Sequence, residues 1–154
     1  MEAKHVNAIT RATKNILTSH LGLDVKLLNP FVQKNVIPSN NVAVILGING
    51  QLEGQLICTM DETTAISIIS TMMGGMPVEA IDDMGWSAIQ EFGNWVGGTM
   101  ATELSLDNTI IDVTPPVVNN GSSTFRSASS FITLPLESSI GKIDVHITIK
   151  KVSA

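Results

Sequence analysis

The chain has 154 residues and a net charge of −5, with 44% hydrophobic and 15% charged residues. We expect residues 1–154 to form a single domain with a buried core, and the scarcity of basic residues argues against a nucleic-acid partner. No apolar run is long enough to span a membrane, residues 1–30 lack a signal-peptide pattern, and the lone Cys58 excludes an internal disulfide. We therefore expect a cytoplasmic protein without a membrane partner.

The first half of the chain is predicted to form a helix, a broken strand and a hairpin. Apolar residues recur at helical spacing in the helix, and Gly22 follows it as a stop. The strand is interrupted or ended near Pro30, and Asn49-Gly50 is a strong signal for the hairpin turn. The predicted bounds are residues 3–21 for the helix, 25–33 for the strand, and 41–48 and 51–60 for the hairpin.

The second half is predicted to contain two helices, a short strand and a final hairpin. Asp61 caps the first of these helices, and its Met72 and Met73 fit either core filling or a partner surface. The short strand runs into Pro115-Pro116, and a Ser- and Thr-rich stretch after it is expected to be a mobile loop with one short embedded strand. The predicted bounds are 61–73 and 81–104 for the helices, 109–113 for the strand, 119–130 for the loop, and 130–137 and 142–150 for the hairpin.

The last strand alternates apolar and polar residues, which predicts one buried face and one solvated face. His146 lies on the polar face and is expected to be solvated. His5 and His20, near the two ends of the first helix, lack ligands at metal-binding spacing, so they are also expected to be exposed and no metal site is predicted. A long regular strand with an uncovered edge tends to pair with another chain, which favours a homodimer.

The long helix, residues 81–104, has an apolar face and a polar face at about 100° of turn per residue. Ile89, Phe92 and Val96 belong to the apolar face. Its interior glycines each cost about 1 kcal/mol of helix stability relative to alanine. Close packing against another helix would explain these glycines, and exposure to solvent would explain the polar side. Polar and small residues gather within about 60° on that side: Ser87, Glu91, Asn94 and Gly98, with Asp83 at their edge and Trp95 beside them.

The polar face resembles the motif of a known family. Ser87 is followed by Glu91 and Asn94 within Glu-Phe-Gly-Asn-Trp-Val-Gly-Gly, and the next strand ends in two prolines, of which either Pro115 or Pro116 matches the motif. This pattern is similar to that of the CheC/CheX/FliY family of chemotaxis phosphatases, which dephosphorylate the receiver protein CheY. The likeness covers most of the chain, because it extends through Asp82-Asp83, Thr114 and the segment Phe131-Ile132-Thr133-Leu134-Pro135-Leu136.

The resemblance implies an α+β fold, a CheC/CheX-like single domain. Two pseudo-symmetric helix-strand-hairpin repeats would place their helices on a mainly antiparallel sheet. It also implies that Asn94 positions the attacking water against the aspartyl-phosphate, and that Glu91 pairs with a lysine of the receiver. The chain would bind no cofactor, because the phosphorylated CheY-like receiver supplies Mg²⁺. Ser87 and Gly98 would border the contact.

The two halves of the chain repeat the order helix, strand ending at a proline, and hairpin. Asn7-Ala8-Ile9 aligns with Ser87-Ala88-Ile89, and in that register Arg11 stands at the position of Glu91 and Lys14 at that of Asn94. By resemblance, the missing pair in the first copy implies one active helix, as in CheX rather than the two-site CheC. The likeness to CheX also implies a homodimer.

Alternatives to a chemotaxis phosphatase remain open on the sequence alone. A non-catalytic receiver-binding or flagellar-switch-like module would have the same fold, but Glu91 and Asn94 in helical register favour catalysis. The receiver could also be one other than a chemotaxis CheY. Trp95 lies about 40° from Glu91 on the helical wheel. It is either covered by the second helix or part of the docking surface, where tryptophan is enriched.

Overall fold

Three helices cover one face of an antiparallel sheet in the computed structural model, which describes residues 2–39 and 41–152. The first helix continues into a π-helical segment, Ile16–His20, and the chain turns at Gly22, whose φ is 66°. Asp61 and Asp82 begin the other two helices, each accepting a hydrogen bond from the backbone amide three residues on. The helices are α1 (Ala3–Asn15), α2 (Glu62–Met72) and α3 (Asp83–Leu106).

The strands form one main sheet and one two-stranded sheet. Both predicted hairpins are confirmed, and the strand predicted over residues 25–33 is interrupted around Pro30. The strands are β1 (Val25–Leu27), β2 (Phe31–Gln33), β3 (Val36–Ser39), β4 (Val42–Gly50), β5 (Leu52–Met60), β6 (Ile111–Val113), β7 (Val117–Asn120), β8 (Ser123–Arg126), β9 (Phe131–Ser138) and β10 (Gly141–Lys151).

The main sheet is symmetric about its two central strands. β5 pairs with β10 at the centre, and β4 and β9 lie outside them. Two short strands complete each side, β6 and β7 along β4, and β1 and β2 along β9. The segment from α1 to β5 therefore follows the same path as the segment from α3 to β10, with α2 between the two. This arrangement matches the predicted pair of repeats.

The two-stranded sheet covers the face of the main sheet that is turned away from the helices. Ile37 of β3 and Phe125 of β8 pack there in a small hydrophobic cluster with Ala43, Ile57 and Phe131 of the main sheet. The stretch expected over residues 119–130 as a loop with one embedded short strand contains that strand as β8, but Asn119 and Asn120 belong to a second strand, β7, that was not predicted. The segment forms β7, which hydrogen-bonds to β4, and β8, which hydrogen-bonds to β3.

Two histidines that were expected at the surface are buried. His146 is only 3% exposed because β10 is paired on both sides and lies beneath other chain segments. His5 at the start of α1 is buried as well, whereas His20 is exposed as predicted. The prediction of a solvated His146 was wrong because alternation along one strand does not reveal a second covering layer. The prediction of an exposed His5 was wrong because a distant segment covers it, with Oγ1 of Thr109 3.4 Å from its Nε2.

The side chains around His146 favour a neutral imidazole. Thr133 donates its hydroxyl proton to Oε1 of Gln33 at 3.0 Å, so its Oγ1 accepts a hydrogen bond from Nδ1 of His146 at 2.8 Å. Nε2 of His146 is then left to accept from the hydroxyl of Thr59 at 3.0 Å. Burial, and to a smaller extent the charge of Lys142, lowers the pKa of His146 to about 4.

The pairing of β10 also removes one argument for a homodimer. β10 hydrogen-bonds to β5 along one side and to β9 along the other, so it has no uncovered edge for a second chain. The prediction that this strand is an edge was wrong. Within residues 2–39 and 41–152, the edges of the main sheet are formed by β1 with β2 and by β6 with β7.

We predict that His146 makes the stability of the protein depend on pH. Its pKa is about 4 in the folded chain and about 6.5 in the unfolded chain, so the unfolded state binds the extra proton between these values. The free energy of unfolding should therefore decrease by roughly 2 kcal/mol from this group as the pH falls from about 7 to about 5. Urea unfolding of the wild type and of His146→Gln at both pH values measures the difference.

His20→Gln, at an exposed position, is the control for this experiment. It should retain the pH dependence of the wild type, which His146→Gln reduces. Equal slopes for the wild type and His146→Gln would contradict the prediction.

Candidate functional site

The long helix α3 is held on the sheet by its apolar face. Ile89, Phe92, Val96, Met100 and Leu104 are all 0% exposed, which confirms the predicted core face. The helix packs against α1, α2 and β4. Because these contacts fix its rotation about its own axis, they also determine which side chains face outward.

The outward side of α3 brings the predicted site residues together. Ser87, Glu91, Asn94 and Gly98 are all exposed. Nδ2 of Asn94 donates a long hydrogen bond to Oε2 of Glu91, at 3.5 Å. The helix thus presents a carboxylate and a carboxamide side by side on a rigid backbone, with small residues around them. A pair that stands exposed on one helix can act on a group that another molecule brings to it.

Close packing beneath Asn94 involves one of the two candidate prolines. A Cβ atom added to Gly93 would lie 2.8 Å from Cγ1 of Val44 and 2.9 Å from Cβ of Pro116. Pro116 is buried, whereas Pro115 is exposed. Pro116 is therefore the proline that supports the helix at the residue next to Asn94.

Trp95 lies beside the exposed pair and is partly buried. Its side chain packs against the main hydrophobic core, and its ring centroid lies 5.4 Å from that of His20, with the two planes tilted by 38°. His20 belongs to the π-helical segment after α1, so the neighbouring ring comes from the first repeat. No local sequence pattern connects His20 with Trp95, so this contact could not be predicted from the sequence.

The equivalent face of α1 carries different chemistry. Nε of Arg11 lies 3.1 Å from Oε2 of Glu103, and Nη2 lies 3.7 Å from Oδ2 of Asp107. Arg11 therefore pairs with the C-terminal end of α3, and Lys14 is exposed at the position that corresponds to Asn94. The first repeat presents no carboxylate–carboxamide pair there.

Other residues considered in the sequence are accounted for by packing. Met72 and Met73 are partly buried against the main core, which confirms core filling. Cys58 is buried, and burial raises the pKa of its thiol to about 12. Among residues 2–39 and 41–152, no three His, Cys, Asp or Glu side chains are grouped so that they could hold a metal ion. No helix in the described part of the chain combines the length and apolar character needed to cross a membrane.

The fold and the exposed pair on α3 fit a chemotaxis phosphatase with the CheC-like α+β fold, and comparison with known proteins shows that this is the class of the protein. The model of the family "Chemotaxis phosphatase CheX" matches residues 42–137. The CheY-P phosphatase CheX of Thermotoga maritima is 31% identical over 152 residues, which are 97% of this chain and 98% of that protein. The chain belongs to the CheX family of chemotaxis phosphatases, and the predicted family is confirmed.

Two solved structures show the same fold. The chemotaxis protein CheX from Desulfovibrio desulfuricans matches with a TM-score of 0.85 and 23% identity, over 95% of this chain and 99% of that one. The CheX–CheY–BeF3–Mg²⁺ complex from Borrelia burgdorferi matches with a TM-score of 0.76 and 23% identity, over 96% of this chain and 98% of that one. The predicted fold class, α+β with helices on a mainly antiparallel sheet, is confirmed.

We predict that two glycines of α3 respond oppositely to substitution by alanine. Gly93→Ala should reduce the free energy of unfolding by about 1–3 kcal/mol, because the new methyl group overpacks against Val44 and Pro116. Gly98→Ala should increase it by up to about 1 kcal/mol, because no atom lies within 4 Å of the added Cβ. Urea unfolding followed by circular dichroism measures both, and equal stabilities of the two variants would contradict the packing argument.

Proposed function

We propose that this chemotaxis phosphatase hydrolyses the aspartyl-phosphate of a CheY-like receiver domain, and that Glu91 and Asn94 of α3 are the residues that act on it. The observation that carries the proposal is the exposed carboxylate and carboxamide, with Nδ2 of Asn94 and Oε2 of Glu91 3.5 Å apart, on one face of a helix that is fixed by its buried side. The Thermotoga maritima relative that shares 31% of its sequence is a CheY-P phosphatase.

Asn94 holds the attacking water. A carboxamide is not a general base, but it can donate and accept hydrogen bonds and so orient a water in line with the phosphorus–oxygen bond that breaks. The water oxygen forms the new bond to phosphorus, the aspartate carboxylate leaves, and the proton of the water passes to the phosphate product or to solvent. Because catalysis of this kind is mainly positioning, it requires the rigid backbone that α3 provides.

Glu91 holds the receiver in place. A carboxylate exposed on the docking face can pair with the lysine of the receiver that contacts the phosphoryl group. In the free chain Oε2 of Glu91 accepts a long hydrogen bond from Asn94, so Glu91 also restrains the carboxamide before docking. Ser87 and Gly98 border the contact because a serine and a glycine are small enough to permit close approach, and the exposed part of Trp95 lies at its edge.

The receiver carries the Mg²⁺ ion. The related complex from Borrelia burgdorferi contains CheX, CheY, BeF3 and Mg²⁺ together, and BeF3 has the geometry of a bound phosphoryl group. When bound, Mg²⁺ neutralises charge on the transferring phosphoryl group. The residues of this chain then supply orientation: Asn94 at the water and Glu91 at the lysine.

A non-catalytic module of the same fold is the alternative function. It would need the docking surface but would not need Asn94 beside Glu91, and both are present and exposed here. This pair therefore favours hydrolysis over binding alone. Measuring phosphate release from several phosphorylated receivers determines whether the substrate is a chemotaxis CheY or another receiver.

We predict that Asn94→Ala and Glu91→Ala reduce activity in different ways. Asn94→Ala should lower the kcat for phosphate release by about 100-fold or more while the receiver still binds, because only the water loses its partner. Glu91→Ala should weaken receiver binding as well, because it removes an ion pair that docking desolvates. Phosphate release from a phosphorylated receiver at several receiver concentrations separates the two effects.

Lys14→Ala is the matched control, since Lys14 is exposed at the equivalent position of the first repeat. It should leave the rate unchanged. Near-normal turnover by a folded Asn94→Ala variant would refute the water-positioning role, and normal receiver binding by Glu91→Ala would refute the ion pair.

The homodimer is proposed at the β1–β2 edge of the main sheet. Family membership supports a dimer, and this edge exposes Leu27, Phe31 and Val32. Unpaired strand edges with exposed apolar side chains tend to pair with a second chain. The opposite edge, formed by β6 and β7, is the alternative contact.

We predict that Val32→Lys converts the homodimer to a monomer, because a charged side chain at an edge opposes strand pairing. Val117→Lys, which changes an exposed residue on the opposite edge, should remain dimeric. Light scattering coupled to gel filtration at micromolar concentration measures both masses. A monomeric wild type would exclude the dimer, and a monomeric Val117→Lys would move the contact to the other edge.

A further inference from the structure

Apart from the partly buried Trp95, the residues that flank the exposed pair on α3 offer little apolar side chain. Ser87, Glu91, Asn94 and Gly98 are small or polar. Specific protein interfaces bury about 800 Å² on each partner and have an apolar centre in which methionine and aromatic residues are enriched. The docking surface therefore needs a further apolar contribution close to this pair.

Two exposed methionines lie near the N-terminal end of this helix face, Met84 on α3 itself and Met76 in the connection that precedes it. Met84 precedes Glu91 by two helical turns, which places it about 10 Å along the axis and about 20° around it. Met84 is 68% exposed, and Met76, in the connection between α2 and α3, is 62% exposed. Both line a groove of about 270 Å³ whose other lining residues include Ile69, Met73, Val78 and Glu79.

The backbone around this groove is fixed by hydrogen bonds. Oγ of Ser70 donates to the carbonyl oxygen of Met76 at 2.7 Å, and the amide of Gly75 donates to the carbonyl oxygen of Ser70 at 2.8 Å. Asp82 accepts from the amide of Gly85 at 2.8 Å, and Ile69 is buried. Only the exposed methionine side chains would need to become ordered on binding, and their flexible thioethers adapt to different partner shapes.

The charge around the groove has one sign. Residues 35–125, which include α2, the groove and α3, contain no Lys or Arg. Glu103 and Asp107 of this segment pair with Arg11, whereas Glu79 and Asp83 near the groove and Glu91 on the helix face are exposed. A partner that fits this surface presents an apolar side chain flanked by basic residues. The acidic residues of the segment are Glu53, Asp61, Glu62, Glu79, Asp82, Asp83, Glu91, Glu103, Asp107 and Asp112.

We propose that Met76 and Met84 form the apolar part of the receiver-docking surface, and that the receiver inserts an apolar side chain between them while its basic residues face the acidic rim. This inference rests on the proposed function, because the occupant is the receiver whose phosphoryl group reaches Asn94. Met84 of this methionine surface is continuous with Glu91 through Ser87 along one stripe of α3, and Met76 lines the same groove as Met84. Its role is to select and hold the receiver.

The experiment compares Met84→Ala and Met76→Ala with the wild-type chain, using a receiver that the wild type dephosphorylates. Each variant should raise the receiver concentration at half-maximal rate about tenfold, the loss expected when one methionine no longer buries its side chain, and leave kcat unchanged. Met84→Leu should restore wild-type behaviour, because it retains an apolar side chain of similar volume. Leu106→Ala is the control, since Leu106 is 72% exposed at the far end of the same helix.

The outcomes distinguish the methionine surface from the proposed function. A wild-type chain that leaves every phosphorylated receiver intact overturns both. An active wild type whose half-maximal concentration is the same in folded Met84→Ala and Met76→Ala overturns the methionine surface alone. If Met84→Ala or Met76→Ala changes the oligomeric mass of the chain but not the receiver concentration at half-maximal rate, a second copy of the chain occupies the groove. That result also overturns the proposal. Thermal melts of each variant verify the fold.

Discussion

The close approach between α3 and the sheet is the constraint on which the site depends. Gly93 lets the helix backbone come so near to Val44 and Pro116 that a Cβ atom would lie under 3.0 Å from each, and an added Cβ at Gly97 would lie 3.2 Å from Val113. Each glycine costs about 1 kcal/mol of helix propensity, and the close packing offsets that cost. These contacts fix the rotation of α3 about its own axis. At that rotation Glu91 and Asn94, the residue after Gly93, face outward.

The pseudo-symmetric fold gives its two equivalent helices different tasks. The path from α1 to β5 repeats in the path from α3 to β10, and both halves contribute to one core. At the position of Glu91 the first repeat has Arg11, which contacts Glu103 and Asp107 at the end of α3. The first repeat also places His20 against Trp95. Its helix therefore braces the second helix from the side, while the second helix carries the exposed pair.

Local pattern predicted the parts of the fold that local interactions determine. The apolar stripe of α3 and the cap at Asp61 each follow from residues close together in sequence, and the structure contains both. The hairpin predicted from Asn49-Gly50 is present as β4 and β5, but Asn49 and Gly50 belong to β4, where they pair with β6, and the bend is at Gln51. The periodicity of α3 likewise placed Ser87, Glu91, Asn94 and Gly98 on one exposed face.

Features that depend on distant contacts were not predictable in this way. The pairing of β3 with β8 joins residues far apart in the chain, and the polar sequence around β8 resembles that of a loop. The alternation of β10 indicated a solvated His146, which was wrong because other chain segments cover that face. The free edge expected for β10 was wrong because β10 pairs with β5 and β9. The neighbours of the site were missed for the same reason, since neither the contact of His20 with Trp95 nor the groove beside Met84 has a local pattern.

An exposed pair suits an enzyme whose substrate is another folded protein. Glu91 and Asn94 are solvated in the free chain, so presenting them does not require burying an unpaired charge or an unsatisfied amide, which would cost stability. In the proposed mechanism the desolvation occurs only when the receiver docks, where new hydrogen bonds and the phosphoryl geometry of the receiver offset it. The complete set of catalytic groups would then form only in the complex, and selectivity would depend on how well the surface around the pair fits the receiver. The proposed surface of flexible methionines within an acidic rim would provide attraction without rigid complementarity, which would permit a signalling partner to be bound, dephosphorylated and released.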